Sequence, residues 1–185
     1  GNDTGDSLKL SYYTPNFSGF QAGVSYIPQV GEENGNAVSR ADQTNAFELG
    51  ASYLGDFGGF SAGASVGYAT DTTASEKDDS SWHAGIGAST AGFAASVFYG
   101  YEEAAGEESS IGVGATYGTG PWSVGADFTT VLEGDDGTDG DLGVAVGASY
   151  AIAPGVSTGV GGEFFTDDSE SKDSIGVSAF MSMAF

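Results

Sequence analysis

The 185-residue chain has no cysteine, four lysines and arginines in total, two methionines and four prolines. Without thiols it has neither a disulfide framework nor a thiolate metal site. With so few cations it has no basic patch, and a net charge of −22 excludes nucleic acid as a partner on Coulomb grounds. No stretch approaches the roughly 18 consecutive apolar residues of a transmembrane helix, so any membrane crossing is made by strands. A basic start followed by an apolar h-region is also missing, as when a signal peptide has been removed or the front of the protein is not in this sequence. Leu, Met, Gln, Lys and Arg are all scarce, which removes most good helix formers.

What is present favours strands and turns. Glycine reaches 32 residues, beside abundant Ala, Ser, Val, Tyr and Phe. The last residues alternate: Ile175, Val177, Ala179, Met181, Met183 and Phe185 share one parity, with Ser174, Gly176, Ser178, Phe180, Ser182 and Ala184 on the other. Side chains alternate faces along a strand, so this segment has one apolar face that reaches Phe185, as a lipid-facing strand would.

The same alternation predicts eleven strands, approximately 7–14, 19–27, 45–54, 59–69, 81–89, 93–102, 110–118, 121–131, 141–152, 155–165 and 174–185. Most match the 9–11 residues that a tilted strand needs to cross a bilayer. The connections alternate between short ones built on Gly or Pro (15–18, 55–58, 90–92, 119–120, 153–154) and long acidic ones (28–44, 70–80, 103–109, 132–140, 166–173). Nearly all acidic residues fall at the start of the chain, in those long connections or at the strand ends bordering them. The exceptions are Glu48, Asp127 and Glu163 inside strands and Asp56 in a short turn. Charge is thereby confined to one rim, the asymmetry of an outer-membrane barrel with short periplasmic turns and longer outer loops.

Aromatics on the apolar parity gather at both strand ends. Tyr12, Phe20, Tyr53, Phe60, Phe93, Tyr117, Trp122, Tyr150 and Phe185 lie toward the turns. Tyr26, Phe47, Tyr68, Trp82, Tyr99, Tyr101, Phe128 and Phe164 lie toward the loops. Small aliphatics fill the space between. Membrane interfaces favour rings at their two levels, whereas a soluble sandwich has no reason to sort them so.

The run Ser11-Tyr12-Tyr13-Thr14-Pro15-Asn16-Phe17-Ser18-Gly19-Phe20-Gln21-Ala22-Gly23-Val24-Ser25-Tyr26 resembles a strand, turn and strand of alphaproteobacterial general porins. Ser182-Met183-Ala184-Phe185 is similar to the closing signal, ending on Phe185, that the outer-membrane assembly machinery reads. The resemblance implies an all-β, antiparallel transmembrane outer-membrane β-barrel of a Gram-negative bacterium, with 16 strands, a homotrimeric assembly and an inward constriction loop between the fifth and sixth strands. Eleven strands counted from the C-terminus begin at the sixth. The chain then reads as a single partial porin domain over 1–185, without the first strands and the constriction loop. Parity agrees, because single-chain bacterial barrels have even strand numbers. An odd barrel would need a parallel seam, and an open sheet would leave edges that lipid cannot satisfy.

On the parity opposite the apolar sets, the wall is mostly Gly, Ser, Thr and Ala, with Lys9, Glu48, His83, Asp127 and Glu163 as its ionisable residues away from strand ends. Three of these five are carboxylates, which fits a weakly cation-preferring, water-filled diffusion pore, and equally fits solvated wall residues without a role. His83 has no nucleophile or orienting carboxylate at a telling spacing, and no Gly-x-Ser-x-Gly occurs, so an enzyme is not expected. Asp135-Asp136-Gly137-Thr138-Asp139-Gly140-Asp141 lacks the terminal Glu and flanking helices of an EF-hand. No cofactor is expected beyond divalent cations held loosely at the acidic outer loops, where they would bridge to lipopolysaccharide. The rival expectation is a surface β-protein that adheres to a partner through those loops.

Overall fold

The computed structural model describes residues 8–28, 44–73, 80–103, 107–134, 140–166 and 173–184. They form eleven strands: β1 (Leu10–Tyr13), β2 (Phe20–Ile27), β3 (Thr44–Asp56), β4 (Ser61–Thr73), β5 (Ser80–Thr90), β6 (Phe93–Glu103), β7 (Glu107–Thr119), β8 (Trp122–Glu133), β9 (Leu142–Ala153), β10 (Val156–Phe165) and β11 (Ser174–Met183). All eleven join one antiparallel sheet in sequence order, β1 to β11. Among the described residues β1 pairs only with β2 and β11 only with β10, so the sheet is an open arc.

Turn chemistry closes one rim. Ala91 and Gly92 both have positive φ (47° and 86°), the type I′ geometry whose twist matches that of the flanking strands. Gly120, at φ 56°, precedes Pro121 in the next hairpin but one, and Pro154-Gly155 follows the Pro-Gly order of a type II turn. Neighbouring hairpins are then tied together by backbone bonds. Gly118 N–H donates to the Gly92 carbonyl at 2.8 Å, Ala151 N–H to that of Pro121 at 2.8 Å, and Ala184 N–H to that of Gly155 at 2.8 Å.

At the other rim the strands run further than their polarity suggests. The connection expected over 103–109 narrows to 104–106, because Glu102 pairs with Glu108 and Glu103 with Glu107. On the turn rim Asp56, expected in a turn, ends β3 and accepts a hydrogen bond from the Ser61 hydroxyl across the hairpin. In both cases the backbone ladder continues regardless of side-chain charge, which local composition cannot reveal. Phe185 and most of the Asp135–Asp141 run lie outside the described residues.

The sheet has almost no protein core. Among the described residues the buried hydrophobics are Ile27 (0% exposed) and Ala46 (4%), which face each other across β2 and β3. Meanwhile Ile175 and Val177 are 79% and 87% exposed. A soluble domain buries such residues; here the convex face is largely apolar and needs lipid as its solvent. Its rings pair across strands at both rims: Tyr26 with Phe47 (centroids 4.9 Å apart) and Trp82 with Tyr99 (5.0 Å) at the loop rim, Phe93 with Tyr117 (4.2 Å) and Trp122 with Tyr150 (4.7 Å) at the turn rim. The Tyr26 hydroxyl donates to Asn45 Oδ1 at 2.7 Å, the wet tip of an otherwise apolar ring.

Register gives the tilt. The row starting at Tyr53 in the turn-rim girdle passes Ala64, Ile86, Val97 and Val113 and reaches Phe128 in the loop-rim girdle. Five interstrand steps cover about 24 Å, and the six residues from Tyr53 to Phe47 about 20 Å. If both girdles lie in planes, strands inclined by about 40° satisfy both paths, within the range of outer-membrane barrels. Trp82 and Trp122, the two tryptophans, mark opposite girdles. In vesicles, lipids brominated near the headgroup should quench both more strongly than lipids brominated at the chain end, and the reverse order would refute this placement.

Candidate wall of a channel

A trough of about 950 Å³ runs along the other face, lined by residues from β3 to β11 that include Ser65, Ser96, Phe98, Asp127, Ser149 and Phe180. A convex surface cannot present one hollow to nine neighbouring strands, so this is the concave face. Side chains converge on the inner side of a curved sheet. Gly and Ser at those positions leave the sheet free to curl and the hollow free for water.

Four of the expected wall residues gather toward the loop-rim end of the concave face, with Glu163 about 6 Å nearer the rim than Asp127 at the tilt of about 40°. Glu48, His83, Asp127 and Glu163 each adjoin in sequence a ring of the loop-rim girdle, namely Phe47, Trp82, Phe128 and Phe164, and point to the opposite face. Asp127 and Glu163 share a register row across Ala145, so their Cα atoms stand about 10 Å apart. Lys9 is exposed immediately before β1, on the wall parity at the loop-rim end. Glu102, at the end of the expected strand 93–102, and Glu108, inside the expected connection 103–109, face the wall side as a directly opposed pair. Like charges so placed repel, and cations between them relieve that repulsion. The belt thus carries Glu48, Glu102, Glu108, Asp127 and Glu163 against Lys9 and His83. Among the described residues no three His, Cys, Asp or Glu side chains form a metal-binding group.

Four aromatic wall residues escaped the sequence reading as candidates: Tyr13, Phe98, Phe165 and Phe180. Each stands on the small-residue parity and faces a glycine on the next strand, Gly23, Gly112, Gly143 and Gly159 respectively. The available signal was a ring out of phase with its strand's apolar set, and cross-strand pairing was needed to read it.

Comparison with known proteins agrees with this geometry. The model of a family described as Gram-negative porin matches residues 1–170. Among solved structures, an anion-selective porin from Comamonas acidovorans superposes with a TM-score of 0.70 at 17% identity, covering 96% of this chain and 59% of that one. Pseudomonas putida OprB gives 0.76 at 10% identity, covering 96% and 58%. The KdgM porin gives 0.50 at 14% identity, covering 96% of this chain and 91% of that one. The chain therefore spans about three fifths of the length of the first two. Comparison with curated protein sequences finds no match.

Proposed function

The chain belongs to the Gram-negative porin family, and from that premise we propose that it contributes the greater part of the wall of a water-filled channel for passive diffusion of small hydrophilic solutes and ions across the outer membrane. The carrying observation is the division of one sheet into an apolar convex face with two aromatic girdles and a Gly- and Ser-rich concave face. No chemical step is part of this reading. The belt of carboxylates, including Glu48, Asp127 and Glu163 and opposed by Lys9 and His83, gives the channel a weak preference for cations.

We further propose that residues 1–185 are one partial barrel domain, the C-terminal portion of a 16-stranded barrel of the alphaproteobacterial general type. The open edges at β1 and β11 support this, since lipid offers no hydrogen bonds to them. So does curvature: the arc follows part of a larger barrel at 0.76 and 0.70, but a porin of its own length only at 0.50. In the complete protein the barrel is a homotrimer, embedded among lipid and lipopolysaccharide and inserted by the outer-membrane assembly machinery through its terminal Phe185.

Planar-bilayer recording of the refolded full-length protein beside this piece tests the proposal. Ohmic currents in triplet steps from the full-length protein, with none from the piece, are expected. Stable channels from the piece alone would refute the partial-barrel reading. Silence from both, with a piece that purifies without detergent, would favour the adhesive surface protein.

A further inference from the structure

Several glycines of the concave face adopt no backbone conformation that calls for glycine. Gly67, Gly112, Gly159 and Gly176 lie inside strands and have none of the positive φ values that mark the turns, and glycine weakens a strand interior. What they share is a neighbour. A Cβ added to Gly67 would strike the ring of His83; at Gly112, the ring of Phe98; at Gly159, the ring of Phe180 together with the Ala148 carbonyl oxygen at 2.8 Å; and at Gly176, the carboxylate of Glu163. Each of these side chains is the register partner of the glycine it covers. The large wall groups therefore lie along the sheet, on the bare backbone of the adjacent strand, and do not project toward the axis.

Resting on the diffusion-channel reading, we infer that these glycines are positioning residues that set the bore and the axial field of the channel by letting His83, Phe98, Phe180 and Glu163 lie flat. A methyl group at Gly112 pushes the Phe98 ring off the wall and into the lumen. A methyl group at Gly176 does the same to the Glu163 carboxylate, which moves a negative charge toward permeating ions. The first change narrows the bore and the second strengthens the field, so the two glycines predict different readouts. Gly50 serves as the control. It lies on the same face, but the nearest atom to a Cβ there is the Val66 carbonyl oxygen at 3.9 Å.

The test is single-channel recording of the full-length protein. Gly112→Ala should lower conductance by roughly 1.2-fold or more, and adding Phe98→Ala should restore it, whereas Gly50→Ala should change nothing. Gly176→Ala should raise the cation-to-anion permeability ratio, a shift that general loosening of the wall would not produce, and Glu163→Gln in that background should abolish the rise. If Gly112→Ala fails to assemble while Gly112→Ala/Phe98→Ala assembles, the ring is shown to lie on the glycine; failure of both overturns the inference. Unchanged conductance and selectivity in folded Gly112→Ala and Gly176→Ala overturn it as well, while leaving the channel reading intact. A wild-type protein that passes no current removes the channel reading and this inference together.

Discussion

Val97→Arg should destabilise the folded sheet by about 2–4 kcal/mol, whereas Ser96→Arg, one residue earlier, should be accepted. Val97 is the register partner of Ile86 and Val113 on the convex face, part-way along β6 between Phe93 in one girdle and Tyr99 in the other. A guanidinium there would sit in hydrocarbon, too far from either interface to reach it cheaply. Ser96 faces Gly87 and Gly114 and lines the trough, where water is available to an arginine. Urea titration of the protein in lipid vesicles, with resistance to unfolding by detergent as a second probe, measures both. Equal tolerance at the two positions would contradict a lipid-facing convex surface. It would also favour the soluble alternative, in which an exposed valine on a surface strand accepts arginine at little cost.

Neutralising Glu48, Asp127 and Glu163 together, as Glu48→Gln, Asp127→Asn and Glu163→Gln, should lower the cation-to-anion permeability ratio of the full-length channel by about two-fold in dilute salt. Glu48 and Asp127 stand near one level and Glu163 about 6 Å nearer the loop rim, all within about one Debye length in dilute salt, so their fields overlap along the pore. Screening sets the conditions. The Debye length is about 10 Å at 0.1 M salt and about 3 Å at 1 M, so the shift in reversal potential should be clear at the lower concentration and nearly gone at the higher. Because Glu102 and Glu108 remain, the triple variant should retain part of its preference, and removing these two as well should reduce it further. Reversal potentials unchanged at 0.1 M would remove the belt from the selectivity mechanism.

Much of this molecule was legible without coordinates because its determining interactions are local. Strand period, turn residues and the sorting of rings to strand ends are properties of short segments, and the eleven strands lie within a few residues of their expected bounds. The larger departures fall at the loop rim. There Glu103, Glu107 and Glu108 look like loop by composition, yet they continue the ladder because their backbones pair. Lateral position was not legible at all. Nothing in the sequence around Asp127 says that Glu163 stands on its register row, and nothing around Phe98 says that Gly112 lies beneath it.

The sequence by itself determined which residues face lipid and which face the hollow, since a period of two admits only two faces and one of them is apolar in every strand. It also determined which rim turns and which rim carries charge. Only pairing across strands brings Glu48, His83 and Asp127 near one level, sets Glu163 on the register row of Asp127, and lays large wall groups on glycines of the adjacent strand. Height along a tilted strand depends on register accumulated over many neighbours, and contact across a sheet depends on residues far apart in the chain.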